Sequence, residues 1–247
     1  MKIFVINLIG HRARINLVTL SLVCLIFLSS IFGAIVKIGA DEIPTIQADN
    51  VPYEKIIIID AGHGGEDSGA VGVNGKLEKD LNLEMSLQIG KMLEEKGYIV
   101  VYTRTDDRLL YTEAENVYGI RKISDLKNRV KVADRYPDSI FVSIHMNSFG
   151  SSKYSGLQVY YSDNGDESRA LADTIQNRVA TDLQKKNKRN TKSGKDMYVL
   201  KNVSNTAVLI ECGFLTNEAE CKKLSEKEYQ KELSFSIVCA IIEYIEK

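Results

Sequence analysis

At 247 residues the chain is long enough for one good-sized domain or two small ones. Its first forty residues carry Lys2, Arg12, Arg14 and Lys37 and no acid, so the remainder sets 28 basic against 33 acidic side chains, a net of −5 that argues against a nucleic-acid reader. Of four cysteines, Cys24 lies in an apolar stretch, and the irregular trio Cys212, Cys221 and Cys239 excludes a disulfide scaffold and a Cys-x-x-Cys metal knuckle.

Ile15 to Val36 is a run of about 22 residues without a charge, enough to cross a bilayer core. Arg12 and Arg14 flank it on the side that stays inside, so the bulk of the chain is expected outside the membrane. Residues 1–40 therefore read as a signal-anchor or a signal peptide. The length favours retention, and Ile38-Gly39-Ala40 is a passable cleavage site with Ile where a small residue is preferred. Residues 41–54 hold two of the three prolines and no apolar period, which reads as a linker.

From residue 55 onward strands and helices alternate, which makes a single α/β domain. Ile56 to Asp60 reads as a buried strand, followed by a Gly-rich run that presents His63 at its mouth. Neither a Walker loop nor a dinucleotide fingerprint fits that run, because Ala70 and Asp67 stand where glycines are needed. Asp80 is placed to cap a helix with Leu81, Met85, Ile89, Met92 and Leu93 on one face and Gly97 at its end. Tyr98 to Thr103 is a strand, and Arg104 to Ser124 has no clean period, so it reads as a rim or lid element.

Ile123, Leu126, Val130 and Ala133 give a second amphipathic helix. The strand Ser139 to Ile144 then delivers His145 at its end. Gly156 to Tyr161 is another strand, Leu171, Ile175, Val179 and Leu183 a third helix, and Lys185 to Lys195 a basic loop that is either a solvated surface or a contact for an anionic polymer. Asp196 to Leu200 and Ala207 to Ile210 read as two more strands, the second ending at Glu211. Ser225 with Glu228 has the spacing of a capping box for a last helix that buries Leu233, Ile237, Ala240, Ile241 and Tyr244.

His63, His145 and Glu211 each fall at the C-terminal end of an expected strand, where open α/β sheets build their sites, and Glu78 is close enough to swing over the same edge. Two neutral imidazoles and one carboxylate make a set that binds catalytic zinc with one position left for water. The second glutamate would then carry protons. Spacing alone leaves open which glutamate is ligand and which is base. Cys212, next to Glu211, should point away by strand alternation, and no spare histidine remains to activate it as a nucleophile.

The ordered set DAGHGGEDSGA, LEKDLNLEMS, TRTDD, FVSIHMNS and VLIECGFLTN, spread over residues 55–247, resembles the zinc-dependent N-acetylmuramoyl-L-alanine amidases of the bacterial wall. The resemblance implies a mixed, mostly parallel sheet of about six strands flanked by helices. It implies one Zn2+ held by His63, Glu78 and His145, Glu211 as catalytic acid/base, and Asn147 lining the substrate groove. Peptidoglycan is the implied substrate, cut between N-acetylmuramic acid and the L-alanine of the stem peptide.

The segment RKISDLKNRV is similar to the sporulation subgroup acting on spore cortex, where the action leads to muramic lactam, and so points to a place between the forespore membranes. The rival readings are a catalytically silent wall-binding protein of the same fold and a zinc carboxypeptidase. With no wall-binding repeats in view, the membrane span, or an accessory protein docking on Arg104 to Ser124, would set where the protein acts.

Overall fold

A computed structural model describes residues 55–247 of the chain. The leader, the apolar run Ile15–Val36 and the linker lie outside the described residues. Among those described, no helix is long and apolar enough to cross a membrane.

Six strands form one sheet: β1 (Ile56–Ala61), β2 (Ile99–Tyr102), β3 (Ile140–Asn147), β4 (Gln158–Tyr161), β5 (Lys192–Ser193) and β6 (Thr206–Phe214), in the order β2-β1-β3-β6-β4-β5. Every pairing is parallel except β4 with β6, so the sheet is mixed and mostly parallel, as expected. The central strands read as near-continuous apolar runs because both their faces are covered. One face carries helices α1 (Glu78–Glu94), α3 (Asp166–Asp182), α5 (Glu218–Leu224) and α6 (Lys227–Ile245) over Ile57, Ile59, Val142, Ile144, Val208, Ile210 and Cys212. The other carries α2 (Arg121–Asp134) and the short α4 (Tyr198–Asn202) over Ile58, Phe141, Ala207 and Leu209. That second face is the thinner layer, and its open end leaves room for a site.

Several local expectations are corrected. Asp196 to Leu200 is not a strand: Tyr198 onward forms α4, and the sixth strand is instead the two-residue β5 inside the basic loop. Asp80 does not cap α1, which starts at Glu78 behind Leu77 with no side-chain cap, and Asp80 lies in the first turn, where its charge suits the helix dipole. Ser225 and Glu228 form no capping box. Ser225 instead closes α5, its hydroxyl donating to the Cys221 carbonyl, while Glu226 precedes α6.

α5 itself was not anticipated, though Asn217 at its N-cap accepts from the Glu220 amide in the usual way. In α2, Ile123 is 53 % exposed, whereas Asp125 and Arg129 are buried together. The helix was read by its apolar residues, and it packs through an ion pair. Of Arg104 to Ser124, the last four residues open α2 and the rest holds a single 3-10 turn, Glu113–Glu115, and clasps the His63 loop: Asp107 accepts from the Gly65 amide at 2.7 Å and from Lys79 at 2.6 Å.

Candidate active site

The strand β1 ends in a loop that turns back on itself at His63, whose backbone sits at φ +60°, a conformation uncommon outside glycine. Two buried arginines hold this turn by its carbonyl oxygens. Arg104 donates to the oxygens of Ala61 and Gly62, and Arg129 to those of Ala61 and His63. Arg129 is itself paired with Asp60 and Asp125, all three almost without solvent exposure.

Burial works to raise the Asp60 pKa, but Arg129 and the hydroxyls of Ser143 and Thr103 outweigh it and hold the carboxyl below its ordinary range. Arg129→Met is expected to lower stability by about 3–5 kcal/mol, because it strands two buried carboxylates, measured as the shift in a urea unfolding midpoint. Neither arginine was singled out from the sequence. Only their position beneath the loop identifies them.

His63, Glu78 and His145 come together: one ligand atom from each lies within 4.8 Å of the others. Glu78 Oε1 sits between the rings, 3.2 Å from His63 Nε2 and 3.0 Å from His145 Nδ1. The loop folds over α1 because Glu78 Oε2 accepts from the Ala70 amide at 2.8 Å, and Gly69, at φ +63°, leaves no side chain to crowd that carboxylate. Gly62 packs so closely on the His145 ring that a Cβ there would collide with it. The ring is thereby turned so that Nδ1 faces the cluster. His63 Nδ1 donates to Asp67 at 2.8 Å, a carboxylate that fixes the tautomer and leaves Nε2 free to face Glu78. The motif alone assigns Asp67 no role; its i, i+4 spacing from His63 is the sequence signal for this contact.

Glu211 stands outside this trio, beside it. His145 pairs with Glu211 across β3 and β6, and Gln158 on β4 stands opposite Glu211, so the three side chains project from one face in a row across the sheet. Both His145 and Glu211 lie inside their strands, not beyond the ends as the sequence suggested, because β3 runs on to Asn147 and β6 to Phe214. Cys212 points the other way, into the apolar layer, as strand alternation predicts, and burial pushes its thiol up. Asn147, at the end of β3 past a register shift, is half-buried, and its carbonyl accepts from Leu215.

The electrostatics separate the two glutamates. For Glu78, burial works to raise the pKa, but the hydrogen bonds and charges of His145 and His63 hold the carboxyl well below its usual value, so it is an anion. On His63 burial opposes charge, and Glu78 and Asp67 overcome it, raising the pKa above 6.5. Glu211 has no such partner: its Oε2 is sealed from solvent without a hydrogen bond, and burial pushes its pKa up to about 7 against the opposing pull of His145.

The sign of the stability effect follows. Between the unfolded value of 4.5 and about 7 the folded state keeps a proton that the unfolded state has lost, so stability falls as pH rises through this window. Metal-free Glu211→Gln should match the wild-type chain below pH 4.5 and exceed it at pH 8 by up to ~3 kcal/mol, read from unfolding curves at the two pH values.

An anionic oxygen between two imidazole nitrogens calls for a cation at their common focus. Ligands about 2.0–2.2 Å from a tetrahedral zinc lie ~3.3 Å apart, near the two separations from Glu78, and the donor set of two nitrogens and one carboxylate suits that ion. The residues fit the group.

A family model described as N-acetylmuramoyl-L-alanine amidase matches residues 57–243. The chain belongs to this amidase family. The Bacillus subtilis germination-specific N-acetylmuramoyl-L-alanine amidase is 38 % identical over 191 residues, covering 77 % of this chain and 79 % of that protein. Among solved structures, the CwlD amidase from Clostridioides difficile, in complex with the GerS lipoprotein, matches with a TM-score of 0.74 at 39 % identity over 78 % of this chain and 98 % of the other. The amidase AmiC2 of Nostoc punctiforme matches at 0.68 and 32 % identity over 79 % and 99 %. The expected enzyme class is thereby borne out, and the protein is an amidase acting on peptidoglycan.

Proposed function

We propose that this amidase uses one zinc ion, held by His63 Nε2, Glu78 and His145 Nδ1, to cut the amide between N-acetylmuramic acid and the L-alanine of the stem peptide. The observation that carries the reading is the focus of those three ligand atoms, with Glu211 beside them, half-buried and with its Oε2 sealed and unpartnered. When bound, the ion supplies Lewis acidity toward a carbonyl and toward water. Glu211 takes a proton from the attacking water as its oxygen bonds to the lactyl carbonyl carbon, then gives that proton to the leaving nitrogen as the C–N bond breaks. A pKa raised toward neutrality suits a group that must both accept and return a proton. Asp67 holds the His63 tautomer, Gly62 the His145 ring, and Asn147 lines the groove.

The substrate in this reading is spore cortex, where cleavage would precede muramic lactam formation. Support comes from similarity to the germination-specific amidase and to CwlD. The N-terminal run Ile15–Val36 would keep the enzyme, or leave it secreted, on the outer face of the membrane, between the forespore membranes. A lipoprotein partner is proposed by analogy with CwlD, which was solved in complex with one.

Mass spectrometry of wall fragments after digestion tests the bond cut. The proposal requires peptides with a free N-terminal alanine. Fragments shortened only at the C-terminal end of the stem would instead make this a carboxypeptidase, and intact wall with bound protein a silent binder. Spores lacking the protein should lack muramic lactam, and its presence at normal levels would remove the cortex role.

A further inference from the structure

We propose that Arg189 forms a carboxylate-binding subsite on the far side of Gln158 from Glu211, reading an acidic group on the stem peptide within its first two or three residues. The inference rests on the amidase reading above and adds to it a determinant of which peptides are cut.

The row of side chains across the sheet does not stop at Gln158. Gln158 Oε1 accepts from Arg189 Nη2 at 3.1 Å, and its Nε2 donates to the Asn190 carbonyl at 2.8 Å. The guanidinium is therefore next in line beyond the acid, and it lies 4.8 Å from the ring centroid of Phe214, the last residue of β6. Strands sit ~4.8 Å apart, and an extended peptide advances ~3.3–3.6 Å per residue. A peptide leaving the bond at Glu211 thus passes Arg189 within a few residues.

Among the described residues this cation makes no direct ion pair, and the carboxylate that feels its charge, Glu220, does so only at longer range. Among the described residues no carboxylate oxygen lies within 4.0 Å of it, and its Nε is sealed from solvent without an acceptor. Glu220, the acid nearest in the same cleft, has both oxygens taken by backbone amides, those of Gly156 at 2.7 Å and Phe214 at 2.8 Å. The loop that carries Arg189 is clamped. Asn187 donates to the Leu157 carbonyl at 2.8 Å and accepts from the Arg189 amide at 3.0 Å, and Gln184 accepts from the Leu157 amide at 2.8 Å.

A fixed, stacked guanidinium is a forked donor matched to a carboxylate, whereas the flexible lysines at 185, 186 and 188 on the same loop are exposed point charges. The basic loop thus contains one residue built for recognition among several that are solvated.

The test compares two soluble substrates, N-acetylmuramoyl-L-alanyl-γ-D-glutamyl-L-lysine and its D-isoglutamine counterpart, in which the free α-carboxylate is an amide. The zinc-loaded full-length chain should cut the acidic substrate with kcat/KM at least tenfold higher. Arg189→Gln should erase that preference through KM of the acidic substrate alone, and Arg189→Lys should restore part of it. Equal losses on both substrates, no preference in the wild-type chain, or an effect seen only on binding to wall bearing anionic polymer would overturn the proposal. Calorimetry with the two released peptides gives a readout free of catalysis. Acid-selective binding that needs Arg189, with neither substrate cut, would sink the amidase reading and keep the subsite; cleavage of both without preference does the reverse.

Discussion

Glu211→Gln is expected to lower kcat by about 10²–10⁴-fold while leaving zinc content unchanged. The substitution keeps the shape of the side chain and removes only its capacity to gain and lose a proton. Because Glu211 lies outside the trio of His63, Glu78 and His145, the ion should remain at full occupancy. Metal analysis beside steady-state kinetics separates the two roles, and a variant that lost zinc together with activity would mean Glu211 is a ligand. KM should change little, since the group acts on a proton in flight and contributes little to ground-state binding.

Loss of the ion itself should be as severe. Exhaustive chelation is expected to reduce activity at least ~10³-fold, with recovery on adding zinc back, and His63→Asn should do the same without recovery. Asparagine is the conservative test because it tolerates the positive φ that His63 adopts, so the loop can keep its course while one ligand disappears. Its metal-free stability should stay within about 1 kcal/mol of the parent chain, measured by urea unfolding. Hydrolysis that persists after chelation would remove zinc from the mechanism.

Much of this was legible in the chain because buried parallel strands write themselves as apolar runs, and three of them bring His63, His145 and Glu211 to one edge. Spacing did not distinguish Glu78 from Glu211, since either could swing over that edge. Only the folded loop, with Glu78 held by the Ala70 amide between the two rings, separates them. The misread pieces share a cause. Short apolar runs such as Tyr198 to Leu200 carry no period long enough to tell strand from helix, and here the turn after β5 decided for helix. The apolar residues of α2 suggest a hydrocarbon face, yet its largest buried side chain is Arg129, buried because Asp60, Asp125 and two loop carbonyl groups needed a cation more than the core needed another hydrocarbon. The thin layer over the second sheet face, on which the row from His145 to Gln158 lies, had no sequence signal at all.

The order of the sheet also bears on when the enzyme can first act. β6 is the last strand to emerge, yet it occupies a central slot between β3 and β4 and brings Glu211 with it. Until β6 takes that slot, the chain carries His63, Glu78 and His145 but has no place in the sheet for Glu211, the proton carrier of the proposed mechanism. Under that mechanism a copy ending before β6 would not hydrolyse its substrate, so competence would wait on the last strand of the sheet.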